Sequence, residues 1–277
     1  MAPAVKGDDE LTVEEIECLG ARRLAEIVVK HCWRDEGLLQ TVRIALAASA
    51  PGEALVDTLA GEIDAVRVDR RFYGYRESSA LAHQLDRIRE GITAELLPVR
   101  PCAAAELLGR LIRLDANVFE RSDDSDGVIG DVIAEAVGDC GRAWAAGAEG
   151  DPKMLAAEVL DLFTTDEYGA RSKVITAFAA ALGPAGLDEI ERMARERFGH
   201  GPARKRQYLA IALENIADAR RRRRLHRGTA PGRQRSRGGQ KGHRTPCCRR
   251  ADRGSPPLGR ASRRASTRAR EYRPIEG

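Results

Sequence analysis

At 277 residues, 43% hydrophobic but only 4% aromatic, the chain can build one or two domains around Leu, Ile, Val and Ala. No stretch approaches the ~20 apolar residues that span a bilayer, and residues 1–10 carry Asp8, Asp9 and Glu10 where a secretory signal would be apolar. A cytoplasmic protein without a membrane span is expected. The net charge of +4 is an average of two unlike pieces: residues 220–277 hold 20 of the 46 Lys/Arg and 3 of the 42 Asp/Glu, which leaves 26 and 39 for residues 1–219.

In chain order, Thr12 and Glu15 form a capping-box pattern that opens a helix to Leu19, with Gly20 as its stop. A second helix follows from Ala21 to Trp33, with Leu24, Ile27, Val28 and His31 on one face; His31 is expected in the core or an interface. Leu38, Leu39, Val42, Ala45 and Leu46 mark a third, ended by Pro51, and Glu53 to Val68 a fourth. Arg70 to Tyr75 reads as a packed turn in which Phe72, Tyr73 and Tyr75 enter the core between charged flanks. Helices are then predicted through Leu81–Ile92, through Leu107–Val118, and along the stripe Ile129, Val132, Ile133, Ala136, Val137, Cys140 and Trp144. Later stripes are Leu155–Phe163, Val174–Leu182, Leu187–Phe198 after the turn Gly183-Pro184-Ala185-Gly186, and Leu209–Ile216. No period-2 strand appears. The fold class is all-α, built from consecutive antiparallel helix pairs as an α-solenoid or irregular bundle.

Chemistry-bearing patterns are sparse. Cys18, Cys32, Cys102 and Cys140 sit singly in helical stretches as small buried thiols, and Cys247, Cys248 and His243 match no common metal spacing. The loop Ser122-Asp123-Asp124-Ser125-Asp126-Gly127 resembles the start of an EF-hand, and Asp123, Asp124 and Asp126 are its candidate metal ligands. The twelfth position, where a calcium loop needs a bidentate Glu, is Ile133. The loop is therefore read as acidic residues facing the N-terminal end of the next helix, with no metal assigned. His83 and Asp86 are one helical turn apart and fit a surface hydrogen bond. Glu158, Asp161, Asp166, Glu167, Asp188, Glu189 and Glu191 read as a solvated acidic face. No Ser/His/Asp ordering, HExxH or glycine-rich phosphate cradle occurs, so neither an enzyme nor a cofactor is expected.

LTVEEIECLGARRL from Leu11, FERSDDSDGVIGDV from Phe119, ALGPAGL from Ala181 and LENIADA from Leu213 together resemble the domain of unknown function 6880 family. The resemblance implies an all-helical domain and transfers no catalytic residues. It also implies that relatives continue past Ala219 with Gly, Asp, Val and Phe, opening further helices. CGN arginine codons read one base later give Gly, Asp, Val or Ala. The segment 220–277 is therefore read as a disordered Arg-rich tail translated in a shifted frame.

The division expected is a flexible segment over 1–10, a helical domain over 11–219 and the tail over 220–277. The expected role is a non-enzymatic helical scaffold for an unidentified protein partner. The alternative takes the tail as authentic and assigns nonspecific nucleic-acid binding to Arg220, Arg221, Arg222, Arg223, Arg224 and Arg227.

Overall fold

A computed structural model describes residues 12–50, 53–147, 151–199 and 201–228. The Thr12 hydroxyl accepts the Glu15 N–H at 3.3 Å, while the Glu15 carboxylate accepts the Thr12 N–H at 3.0 Å. That reciprocal cap opens α1 (Val13–Glu17), and Gly20 precedes α2 (Ala21–Cys32). Asp35 caps α3 (Glu36–Ser49) by accepting the Leu38 N–H at 2.9 Å. α4 (Ala54–Val68) and α5 (Tyr75–Glu90) follow, and α5 continues into a π-helical segment, Gly91–Leu96.

The stretch read as one helix through Leu107–Val118 is two, because the chain bends between Ile112 and Asp115. α6 (Pro101–Ile112) begins with proline at its first turn, and α7 (Asp115–Phe119) is a short second piece. α8 (Val128–Gly147) carries the long apolar stripe, with Ile129, Ile133, Ala136, Val137 and Cys140 buried. α9 (Pro152–Thr164) starts at an Asp151 cap, and α10 (Val174–Ala177) is a single turn. α11 (Ala179–Phe198) bends at Gly183, whose φ of 62° lies in the left-handed region that glycine tolerates. α12 (Ala203–Gly228) closes the described part.

The core sits where α8 meets α5, α6, α10 and α11, with α9 and α12 completing it through α11. α8 packs on helices two and three places away along the chain, the short α10 among them, so the all-α arrangement is built from successive helices stacked on their near neighbours. Backbones approach most closely at Gly141, where a Cβ would lie 2.3 Å from the Ala177 carbonyl oxygen. Among the described residues there is no strand. A lone parallel bridge joins Tyr73 and Ser122, and no helix is long and apolar enough to cross a membrane.

Candidate functional site

The acidic loop caps a helix terminus. Both Asp124 oxygens are used, accepting N–H groups of Ile129 at 2.9 Å and Gly130 at 3.0 Å at the start of α8. Asp123 accepts the Ser125 N–H at 3.2 Å and its hydroxyl. Asp126 lies beside the Tyr75 phenol, and its carboxylate raises that group above its usual range. The three carboxylates thus serve three different partners, and Ile133 is fully buried. Among the described residues, no group of three or more His, Cys, Asp and Glu is placed to hold a metal ion.

The preceding residues explain why this loop is distinctive. Arg121 is buried and donates to the Val66 carbonyl at 2.9 Å and to Asp69 at 3.4 Å. Tyr73 lies between two guanidinium groups, Arg71 at 4.3 Å and Arg121 at 5.3 Å from its ring. Its phenol donates to Asp69 at 2.6 Å, the main cause of Asp69 titrating below the ordinary carboxylate range. Backbone bonds from Tyr73 to Arg121 (2.8 Å) and from Asp123 to Tyr73 (2.9 Å) complete the lock. The expectation that all three aromatics enter the core holds for Tyr73 alone, since Phe72 and Tyr75 are exposed. The turn has room for one ring between the arginines.

Beside this loop runs a groove of about 610 Å³, walled by Phe119, Asp123, Asp131, Tyr168 and Ser172 among others. Phe119 and Tyr168 meet across it with ring centroids 4.7 Å apart. Behind Tyr168 lies a buried ionic cluster that the sequence reading missed. Arg171 Nε is 2.8 Å from Asp115 Oδ2 and 3.9 Å from Asp166 Oδ1, with all three side chains at most 6% exposed. The closer pair is at ionic distance but not in hydrogen-bonding alignment, so both atoms lack a hydrogen-bond partner. Burial pushes both carboxylates above their ordinary range, against the attraction of Arg171. One signal was legible: Asp115 lies four residues after Leu111 and three before Val118, on the apolar stripe itself. Arg171 offered none, being in a loop. Asp166, expected on a solvated face, is thus buried.

The arginine run continues the last helix. Helical spacing turns Ala212, Ile216 and Ala219 inward, and Arg220 and Arg223 extend the same face. Arg220 reaches Asp188 at 2.6 Å and Glu191 at 2.7 Å. Arg223 donates to the carbonyls of Ala179 at 2.7 Å and Ala180 at 3.2 Å. The regular helix is interrupted at Gly183, and Arg223 donates to carbonyls in the last turn before that bend. Arg221, Arg222 and Arg224 point to solvent. Arg227 is within α12, its side chain outside the described residues. The last helix therefore runs on past Ala219 into the arginine run. Arginine is a good helix former, so the change in charge does not stop the helix.

Three smaller expectations are also corrected. Asp86 pairs with Arg89 at 2.7 Å, within a network that includes Asp139 at 2.8 Å, rather than with His83. His31 is exposed. Of the four cysteines, Cys32 and Cys140 are buried but Cys18 is exposed. Cys247, Cys248 and His243 lie outside the described residues.

The N-terminal helices contrast with the rest. Cys32 is the single buried residue of α2, while Val29 and Trp33, one helical turn apart, are exposed, Trp33 by 83%. Val13, Leu19 and Leu46 on neighbouring segments are exposed too.

The chain matches the model of a family of unknown function, DUF6880, over residues 8–231, which passes the change in charge at Arg220. No curated protein and no solved structure matches it. With a match that covers most of the chain and the last helix carried through the arginine run, the chain belongs to the DUF6880 family.

Proposed function

We propose that this domain is a non-enzymatic interaction module that binds a protein partner through its N-terminal helices. The observation that supports the reading is Trp33, a large aromatic side chain left in water beside Val29 on a helix that buries one residue. Tryptophan is enriched among the residues that dominate binding energy, and exposed apolar groups gathered on one element mark contact surfaces. The test compares the full chain with Trp33→Ala as bait. A partner retained by the first and lost by the second, with unchanged circular dichroism and melting temperature, supports the reading. Equal retention by both overturns it.

The nucleic-acid alternative narrows to Arg221, Arg222 and Arg224, since these face outward while Arg220 and Arg223 are engaged within the fold. Substituting these three with Gln lowers affinity for DNA or RNA and flattens its salt dependence if phosphate contacts are made there. An unchanged salt slope removes these residues from consideration. The shifted-frame reading of residues 220–277 is carried forward beside the family match that reaches residue 231. Resequencing the locus tests it: an intact frame there, with no helical continuation in the other frames, sinks it.

A further inference from the structure

We propose that the loop of residues 165–173 is a proton-controlled clasp, in which Asp115 and Asp166 share one guanidinium and one exchangeable proton to fasten the groove wall against α7. Two buried carboxylates face a single cation, Arg171, so the cluster holds one excess negative charge when both are ionised. Two negative charges beside one cation in a low-dielectric interior oppose each other's ionisation, and a proton taken from solvent removes the excess.

The geometry shows what that proton would hold. Asp166 organises the loop by accepting the Gly169 N–H at 2.9 Å and the Arg171 N–H at 3.1 Å. Arg171 donates back to the Thr165 carbonyl and projects to Asp115 in the first turn of α7. At the other end of α7, Phe119 stacks on Tyr168 from the same loop. The loop thus touches α7 twice, through a buried ionic contact and through the aromatic pair that walls the groove. Weakening the first loosens the second. The charged groups facing Asp115 are Arg171, Asp166 and Glu167, all from this loop. Asp166 faces Arg171 as well, and from α12 the Asn215 amide donates to the Ser172 carbonyl at 3.0 Å. Glu167 adds further negative charge and strengthens the demand for a proton.

The clasp tightens as pH falls. With one carboxyl protonated, the trio is neutral and the remaining carboxylate pairs with Arg171. With both ionised, repulsion within the pair favours opening of the loop and exposure of Phe119 and Tyr168 to a ligand in the groove.

Hydrogen exchange of the full chain at pH 5 and pH 7.5, corrected for intrinsic exchange rates, tests this. Protection of amides 166–173 is expected to be higher at pH 5 than at pH 7.5, because the raised carboxyls take up a proton as pH falls. In Asp115→Asn, one carboxylate faces one guanidinium, and the difference between the two pH values should vanish. Glu167→Gln keeps it in reduced form. Equal corrected protection at both pH values in the natural chain, or a pH dependence retained by Asp115→Asn, overturns the proposal. If Asp115→Asn does not fold, carboxyl carbon NMR of the natural chain decides. Coupled titration of Asp115 and Asp166 supports the clasp, and two independent, ordinary carboxylate titrations overturn it.

Discussion

The first helices and the last reverse what their side chains suggest. α2 carries a clean apolar face, yet only Cys32 is buried and Trp33 stands in water. α12 carries five consecutive arginines, yet two of them fasten it to α11, one by ion pairs and one by donating to the Ala179 and Ala180 carbonyls before the bend at Gly183. Hydropathy predicts which face of a helix is available for burial. Whether that face finds a partner depends on the rest of the chain, and a charged residue is retained in a fold when orphaned carbonyls or carboxylates await it.

The largest expected effect lies in the C-terminal half. Gly141→Ala places a methyl group against the Ala177 carbonyl and should destabilise the protein by about 3 kcal/mol. Ile216→Ala, in the buried face of α12, should cost a similar amount, about 3 kcal/mol in urea unfolding. Next comes Arg223→Met at about 2 kcal/mol, because the Ala180 carbonyl loses its donor. A neutral result would break the comparison by showing that the arginine run is not fastened. Arg220→Met, on a half-exposed ion pair, should cost about 1 kcal/mol at most and less in high salt. Smallest is Trp33→Ala, expected to change stability by less than about 0.5 kcal/mol while removing partner binding. A large loss of stability there would mean that α2 is packed more firmly than its exposure indicates.

Two clusters should respond to pH with opposite signs, which sharpens the contrast further. Burial raises Asp115 and Asp166, so their contribution to stability is fully present below the ordinary carboxylate range and is lost as pH rises through the raised values. Glu191 is partly buried, which opposes ionisation, but Arg220 and Arg195 hold it below its ordinary value. Its contribution is present above that ordinary value and is lost as pH falls through the lowered one. Urea midpoints of the natural chain, Asp115→Asn and Arg220→Met across pH 4 to 8 separate the two. The first substitution should remove the gain at low pH, and the second should remove part of the loss.

Much of the helical content was legible because periodicity and caps are local. The Thr12–Glu15 box, the α8 stripe and the proline at the start of α6 depend on residues within a turn or two of one another. The acidic loop was legible for the same reason, as Asp124 caps a helix five residues away. The Asp115–Arg171 contact was not, since it joins residues far apart in sequence and only Asp115 betrays itself on an apolar stripe. Of the arginine run, composition conveyed charge but not orientation, nor that the last helix continues into it.

By itself, then, the sequence determined that the chain is helical, where most helices begin, and that no metal loop is completed at Ile133, because each of these follows from spacing along one segment. Tertiary structure decided which apolar face stays in water, which carboxylates share a buried guanidinium, and which arginines turn inward. Those outcomes depend on segments brought together from distant parts of the chain, where desolvation and unsatisfied hydrogen bonds set the energy of every polar group.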